Sequence, residues 1–199
     1  MNIVCLDLEG VTAPEMWIEF ADAAGIPELR KTTRDEPDYD KLMQYRLKIL
    51  KEHGLGLNEI QATIAKVDLL PGAREFMDEL RSFAQVIILS DTFEEFAKPL
   101  IKKLGNPTIF CHTLEVAPNG EITGYKLRTD DQKYKAVKAL QSLNFDTIAA
   151  GDSYNDLRMI QNSKAGAFFR TTDKIKAEHP EIPALETYQE LLDFIRANM

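Results

Sequence analysis

Residues 1–12 read MNIVCLDLEGVT, and this stretch decides the fold class. It begins with an apolar, β-rich run that is typical of a buried strand, but the run ends in two acids, Asp7 and Glu9, one residue apart. In open parallel sheets, ligands bind beyond the carboxyl ends of the strands. The pattern therefore predicts a first strand that delivers two carboxylates to a ligand site.

Four more β-rich runs follow, and longer segments with helical apolar spacing separate most of them. This alternation predicts an α/β fold with a Rossmann-like parallel sheet and helices on both faces. Residues 112–127 instead alternate around Asn119-Gly120, which predicts a small β-hairpin flap. The predicted strands are residues 2–8, 84–90, 107–111, 146–152 and 165–169, and helices are predicted to begin near Pro71, Asp91, Asp130, Tyr154 and Glu186.

The interval between the first two predicted strands is far longer than one crossover helix requires. It contains three helical patterns, at residues 15–25, 39–54 and 58–67. We therefore predict a helical cap at residues 14–68, inserted into a core formed by residues 1–13 and 69–199. Met16, Trp17 and Phe20, which follow one another at helical spacing, are typical of the cap's own apolar core.

Composition bounds the class of ligand. The chain has 199 residues, which is enough for one core domain with one smaller insertion. Its formal net charge is -8. That charge opposes binding to nucleic acid or to a membrane surface, and no basic patch compensates, so we expect a small-molecule substrate. Only two cysteines occur, no apolar leader opens the chain, and no stretch approaches a membrane span. We therefore expect a cytoplasmic protein, with monomer and homodimer both open.

Polar residues follow the later strands as they follow the first. Ser90 comes after the second strand, in LSDT, and a lysine-bearing segment, DDQKYK, precedes the fourth core strand. The segment GDSYND then supplies Asp152, Asn155 and Asp156 directly after that fourth strand. Because these strand ends share one edge of a parallel sheet, we expect the side chains to meet there.

The order of these motifs resembles the haloacid dehalogenase superfamily of phosphohydrolases, over nearly the whole chain. The inserted helical segment and GDSYND are similar to the phosphoserine phosphatase branch. DLEG, with Glu where most members have Asp, and LSDT resemble the bifunctional phosphoserine phosphatase/homoserine phosphotransferase subgroup. The resemblance implies release of L-serine from phosphoserine, with transfer of the phosphoryl group to homoserine as a second activity. It also favours Lys133 over Lys135 and Lys138 as the functional lysine.

The residues support this chemistry on physical grounds. Phosphate monoesters hydrolyse very slowly, so an enzyme must supply a nucleophile, charge neutralisation and a proton source. Asp7 can attack phosphorus and form an aspartyl phosphate, and a hard cation such as Mg²⁺ would bridge Asp7, Asp152 and the phosphate. Ser90 and Lys133 would neutralise the phosphoryl oxygens, and Lys133 should also keep Asp7 ionised.

Glu9 completes the predicted chemistry, because it can protonate the departing alkoxide and later deprotonate the attacking water. The resemblance further implies that the backbone carbonyl of Glu9 is a metal ligand and that Asp156 orients a metal-bound water. The predicted metal-binding residues are therefore Asp7, Glu9, Asp152 and Asp156.

The predicted cap carries the candidates for substrate recognition. Glu15 and Arg46 match by position the residues that hold the ammonium and carboxylate of phosphoserine in the resembled branch, and Asn155 can contact phosphate or substrate. An arginine fork suits a carboxylate because it can bind both oxygens. The alternative is that Arg46 is a solvated helix residue near Asp40 and Lys48.

Two positions depart from the usual family pattern. Glu9 is one methylene longer than Asp, which predicts slower water attack and a phosphoenzyme that lives long enough for another alcohol to intercept it. Asp91 stands where phosphoserine phosphatases commonly have Gly. Because DTFE has capping-box spacing, we expect Asp91 to cap its own helix and to present its backbone N–H to the phosphate.

Two other functions fit parts of the sequence. One is a phosphatase of the same mechanism acting on another small phosphate ester, such as a sugar or nucleotide phosphate. The other is a non-enzymatic phosphoacceptor that resembles a response-regulator receiver, although receivers carry the acceptor on the third strand and lack a helical cap. His53, His112 and His179 are isolated from the acid motifs in the sequence, so we expect structural or surface roles for them.

Overall fold

The computed structural model describes residues 1–33, 35–36 and 38–199. Its strands form one seven-stranded sheet in the order β4-β3-β2-β1-β5-β6-β7. Neighbouring strands are parallel, except for the antiparallel pair β3 and β4. The strands are β1 Asn2–Leu6, β2 Gln85–Phe93, β3 Thr108–Val116, β4 Ile122–Lys126, β5 Asp146–Gly151, β6 Ala165–Phe169 and β7 Ala184–Leu185.

Helices lie between most of the strands and confirm the predicted α/β class with inserted helices and a hairpin flap. Three of them, α1 to α3, are inserted between β1 and α4, and α4 leads directly into β2. None of the helices in the described ranges is both long and apolar enough to cross a lipid bilayer. The helices are α1 Met16–Ala24, α2 Tyr39–Glu52, α3 Leu57–Ile64, α4 Ala73–Phe83, α5 Glu94–Lys103, α6 Gln132–Ser142, α7 Leu157–Gln161, α8 Asp173–Glu178 and α9 Tyr188–Ala197, with 3₁₀ turns at Pro27–Arg30 and Tyr154–Asp156.

The first strand is central, as its apolar sequence predicts. It pairs with β2 on one side and with β5 on the other. Side chains alternate between the faces of a strand, and here Val4 and Leu6 belong to one buried cluster while Ile3 and Cys5 belong to another. A strand that is covered on both faces has a continuous apolar sequence, as residues 2–6 do.

The end of β2 differs from the prediction. β2 pairs with β3 at Leu89–Phe110 and, after an irregularity, again at Phe93–His112, so the chain stays extended past Asp91. Helix α5 therefore begins only at Glu94, and no side chain caps its first turn. The prediction that Asp91 caps this helix is wrong, because strand pairing outweighs the local capping-box pattern.

The hairpin forms where it was predicted. β3 and β4 pair antiparallel, and Gly120 adopts a φ of 89° in the turn between them. Glycine suits this turn because a positive φ strains residues that have a Cβ. The predicted strand at residues 107–111 and the first arm of the hairpin are in fact one continuous strand, β3.

Contacts join the hairpin to the inserted helices. The backbone N–H of Leu57, the first residue of α3, donates to the carbonyl of Gly120 at 2.9 Å. The hydroxyl of Tyr125 on β4 donates to Asp40 Oδ1 on α2 at 2.5 Å. The hairpin is therefore hydrogen-bonded to two of the inserted helices, α2 and α3. The exact division into a cap at residues 14–68 and a core remains a prediction.

Candidate active site

Three acids meet at the carboxyl ends of two neighbouring strands. Asp7 follows β1, and its backbone N–H donates to the carbonyl of Ala150 in β5 at 3.0 Å. Asp152 and Asp156 follow β5 itself. One carboxylate oxygen from each of Asp7, Asp152 and Asp156 lies within 4.8 Å of the others. The parallel pairing of β1 with β5 thus brings the first and last acidic motifs together.

Two glycines make room for these carboxylates. Gly10 has a φ of 74°, and a Cβ there would lie 2.4 Å from Asp152 Cγ. A Cβ at Gly151 would lie 2.1 Å from Asp156 Cγ. The carboxylates therefore pack directly against backbone that lacks side chains. A compact set of hard oxygen donors is the chemistry that Mg²⁺ prefers, so these residues fit the predicted ion.

Lys133 is the cation of the acidic cluster. Its Nζ lies 2.7 Å from Asp156 Oδ1, 2.8 Å from Asp7 Oδ2 and 3.6 Å from Asp91 Oδ2, and the side chain is buried. Burial lowers the pKa of Lys133, but the three carboxylates outweigh that effect and hold the pKa well above its usual value. The competing lysines on α6 are exposed, which favours Lys133 as predicted.

The charge balance around Asp7 is negative. Burial raises the pKa of Asp7 most, the charges of Asp156 and Asp152 raise it further, and Lys133 opposes them without outweighing them. Lys133 thus acts in the predicted direction and favours the ionised form of Asp7, while burial and the neighbouring carboxylates act against it. A divalent cation at the cluster would lower the pKa of Asp7 in the same direction as Lys133 does.

Glu9 links the first motif to the inserted helices. Its Oε1 accepts a hydrogen bond of 2.9 Å from the backbone N–H of Met16, the first residue of α1. Glu15 precedes that helix directly. Burial, and then the charge of Glu15, raise the pKa of Glu9 to about 8. Glu9 therefore joins the segment after β1 to the start of α1.

Arg46 is buried, with 5% of its surface exposed, so the alternative of a solvated helix residue is excluded. Its Cζ lies 4.4 Å from the ring centroid of Trp17, and its Nη2 donates to the carbonyl of Lys31 at 2.7 Å. Among the described residues, its buried Nε has no hydrogen-bond partner. Burial lowers the pKa of Arg46 to about 10, which still leaves the guanidinium charged at neutral pH.

Asp91 has a different role from the predicted helix cap. Its Oδ2 accepts from Asn155 Nδ2 at 2.9 Å, and its Oδ1 accepts from Gln132 Nε2 at 3.1 Å. Burial opposes ionisation of Asp91, but Lys133 and these amide groups outweigh it and lower the pKa. Asp91 thus connects β2, α6 and the segment after β5. Ser90, immediately before it, is buried.

A cavity of about 1030 Å³ contains most of the predicted site. Its walls come from both the inserted helices and the strand ends. Ser90 and Asp156 are buried and are not among its described lining residues. The predicted residues that line it are Asp7, Glu9, Glu15, Arg46, Asp91, Lys133, Asp152 and Asn155.

Three residues that line this cavity, and that were not among the predicted site residues, contact Ser90 or Asp91. His112 is distant from the acid motifs in the sequence, but its Nε2 lies 3.7 Å from Asp91 Oδ1, and its burial agrees with the predicted structural role. Gln132 Nε2 donates to the carbonyl of Ser90 at 2.5 Å, and the Tyr39 hydroxyl donates to the carbonyl of Asp91 at 3.2 Å. Only Gln132 carried a sequence signal, since it immediately precedes the candidate lysine.

The fold and the acidic cluster define a hydrolase of a known class. A model of the haloacid dehalogenase-like hydrolase family matches residues 3–164, and the chain belongs to this family. The predicted family is thereby confirmed. The receiver-like alternative is excluded, because the acceptor-like Asp7 follows the first strand of a hydrolase fold with inserted helices.

Within this family, the chain is similar to phosphoserine phosphatases. It is 51% identical to phosphoserine phosphatase ThrH of Pseudomonas aeruginosa, over 100% of this chain and 97% of the relative. It is also 51% identical to a phosphoserine phosphatase of Pseudomonas syringae pv. tomato, over 100% of this chain and 84% of that protein. A crystal structure of phosphoserine phosphatase from T. onnurineus in complex with NDSB-201 matches with a TM-score of 0.73 and 26% identity, covering 98% of this chain and 94% of that chain.

Proposed function

We propose that this hydrolase is a Mg²⁺-dependent phosphoserine phosphatase that acts through an aspartyl-phosphate intermediate on Asp7. The observation that carries the proposal is one cavity with two sets of groups. Asp7, Asp152 and Lys133 form its floor, and they suit a phosphoryl group. Its lining also includes Arg46, which suits a carboxylate, and Glu15, which suits an ammonium. The two 51% identical relatives named phosphoserine phosphatase support this choice of substrate.

The reaction needs two displacements at phosphorus. In the first, an Asp7 oxygen forms a bond to phosphorus while the ester P–O bond breaks, and Glu9 gives its proton to the departing serine alkoxide. In the second, Glu9 takes a proton from water, whose oxygen attacks phosphorus and releases inorganic phosphate from Asp7. Lys133, Ser90 and Asn155 would hold the phosphoryl oxygens during both steps.

Asp7, Asp152 and the backbone carbonyl of Glu9 would hold Mg²⁺, with Asp156 beside them. When bound, the ion would neutralise the negative charge of the phosphate and the acidic cluster. This assignment agrees with the three clustered carboxylates and with the two glycines against which two of them pack.

The substrate's amino-acid part would lie toward α1 and α2. Arg46 is charged and buried, and its Nε lacks a partner among the described residues, as expected of a donor that awaits a ligand. We assign Arg46 to the substrate carboxylate and Glu15 to the ammonium. The carboxylate of Asp91 would act indirectly, by holding Asn155, Gln132 and Lys133 in place, since these three side chains already surround it.

We further propose that the phosphoenzyme transfers its phosphoryl group to homoserine as well as to water. The longer side chain of Glu9 supports this, since a carboxyl group displaced by about an ångström slows proton transfer from water. Substituting Glu9→Asp should then shift the products toward hydrolysis when homoserine is present. An unchanged ratio of phosphate to phosphohomoserine would remove the transferase proposal but leave the phosphatase intact.

One assay tests the main proposal. Phosphate release is measured with O-phospho-L-serine and Mg²⁺, with and without homoserine, beside a panel of sugar and nucleotide phosphates. We expect phosphoserine to have the highest kcat/KM, and Asp7→Asn to abolish turnover. A higher kcat/KM for a sugar or nucleotide phosphate would favour the alternative substrate class, and full activity of Asp7→Asn would overturn the mechanism.

Cellular location and assembly remain predictions of the same proposal. We expect a cytoplasmic monomer or homodimer that acts on a free phosphorylated amino acid. Fractionation of cells and light scattering of the purified chain would test the two statements separately.

A further inference from the structure

Trp17 has a second environment besides the apolar core predicted for it. The side chain is 8% exposed, and it is one of the residues that line the cavity. The guanidinium Cζ of Arg46 lies 4.4 Å from its ring centroid. The same ring meets Phe96 of α5 edge-on, with centroids 5.2 Å apart and an interplanar angle of 67°. Trp17 therefore joins Arg46 of α2 to the helix that follows β2.

The other contacts of the Arg46 guanidinium are made by its two terminal nitrogens. Nη2 donates to the carbonyl of Lys31 at 2.7 Å, and Nη1 lies 3.8 Å from the sulfur of Met43. The carbonyl fixes one nitrogen, and the thioether is a weak acceptor. A long side chain also loses considerable rotamer entropy when it is ordered. The flat indole of Trp17 is the contact that lies against the guanidinium carbon itself, 4.4 Å from the ring centroid.

The orientation of the guanidinium plane matters for a carboxylate ligand. An arginine fork binds both carboxylate oxygens only when its plane is correctly directed. A guanidinium over the indole of tryptophan is also attracted electrostatically, and more strongly when both groups are removed from water, as they are here. One aromatic ring therefore attracts the buried cation without using any of its N–H donors.

We propose that Trp17 is a positioning residue that holds the guanidinium of Arg46 ready for the substrate carboxylate, and so determines selectivity for phosphate esters that carry a carboxylate. The inference rests on the proposed function, because it takes Arg46 as the group that binds the carboxylate. It assigns Trp17 no role at the phosphorus atom, which lies with the acidic cluster.

The test compares two substrates that differ in one group. O-phospho-L-serine carries a phosphate, an ammonium and a carboxylate, whereas phosphoethanolamine lacks only the carboxylate. Trp17→Leu should raise KM for phosphoserine about fivefold, in the range of one cation–π contact, with kcat and the KM for phosphoethanolamine within about twofold of wild type. Trp17→Phe, which keeps an aromatic face, should restore most of the lost selectivity.

Phe96→Leu is the matched control, because Phe96 packs on Trp17 but is not stacked on the guanidinium. It should leave the phosphoserine-to-phosphoethanolamine ratio of kcat/KM unchanged. Equal losses on both substrates in Trp17→Leu, or an unchanged ratio, would overturn the proposal. If Trp17→Leu fails to fold, Trp17→Met takes its place, since it also lacks an aromatic face and must show the same loss of selectivity.

Failure of the proposed function gives a different result. Wild-type protein that does not release phosphate from phosphoserine overturns the function itself. Wild-type turnover with an unchanged substrate ratio in Arg46→Met overturns the carboxylate role of Arg46, and the Trp17 proposal with it. A ratio that falls in Arg46→Met but not in either Trp17 variant overturns the Trp17 proposal alone.

Discussion

The side chains around Lys133 carry more negative than positive charge. Its ammonium contacts Asp7 and Asp156 directly and lies 3.6 Å from Asp91, and all four groups are removed from most of the solvent. A buried ion pair is weak evidence for stability, but removing one partner leaves an uncompensated buried charge. At the residue scale, Lys133 is therefore the cation that compensates these buried carboxylates.

The first prediction concerns Lys133→Met. We expect the free energy of unfolding to fall by about 3–5 kcal/mol at neutral pH without divalent ions, because Asp7 and Asp156 lose their cation. Urea denaturation in the presence of EDTA measures this. Lys135→Met is the control, since Lys135 pairs with Asp130 on the surface, and an exposed pair contributes about 1 kcal/mol or less. Equal effects of the two substitutions would contradict the assignment.

The second prediction concerns Gly10→Ala. An added Cβ would collide with the carboxyl group of Asp152, and a misplaced catalytic group can cost about 100-fold in rate. We expect a loss of that order in phosphatase activity. Gly25→Ala is the matched control, because Gly25 also has a positive φ, 68°, but an added Cβ there meets nothing within 4 Å. Similar melting temperatures with activity lost only in Gly10→Ala would support the packing argument, and full activity would refute it.

At the scale of elements, the apolar periodicity of the sequence predicted six of the strands and most helix starts, but it placed the end of β2 too early. Periodicity and turn residues are local signals, and they found the hairpin at Asn119-Gly120 and the acids after β1 and β5. Where β2 ends depends on its pairing with β3 through Phe93 and His112, which residues near Asp91 in sequence do not encode. Helix α8 and strand β7 were missed because they are short, with 6 and 2 residues.

The third prediction tests the contact between the hairpin and α3. Gly56, directly before α3, lies against the turn, and a Cβ there would be 2.5 Å from the carbonyl oxygen of Gly120. Backbone cannot yield as a side chain can, so Gly56→Ala should destabilise the protein by about 1–3 kcal/mol and speed hydrogen exchange in α3 and the hairpin.

Gly124→Ala provides the control for this hairpin contact. Its added Cβ would meet the carboxylate end of Glu115, a flexible side chain that can move away. Exchange rates in α3 should then stay at their wild-type values. The interlocking of hairpin and α3 would be contradicted if Gly56→Ala left both stability and exchange unchanged.

At the scale of the whole molecule, the cavity joins parts of the chain that are distant in sequence. Its floor comes from the ends of β1, β2 and β5, and its cover includes α1 and α2. Any ion bound at the acidic cluster therefore binds only to the assembled fold, because the unfolded chain does not bring the carboxylates together.

The fourth prediction follows from this linkage. Mg²⁺ at 100 times its dissociation constant should stabilise the protein by about 2.7 kcal/mol, which raises the melting temperature by about 5–10 °C for a chain of this size. Asp152→Asn should abolish the rise, whereas Asp146→Asn at the exposed start of β5 should keep it. Thermal unfolding with and without Mg²⁺ measures the shift, and an equal rise in Asp152→Asn would exclude Asp152 as a ligand.

The sequence by itself determined the fold class, the family and the acidic cluster, because each depends on local order. A buried parallel strand reads as an apolar run, and the residue after it must face the ligand edge of the sheet. Only the tertiary structure decided how Asp91 is used, that His112 reaches the cavity, and that the guanidinium of Arg46 lies over the ring of Trp17. These contacts join elements far apart in the chain, and their geometry depends on strand pairing and helix packing that no local pattern records.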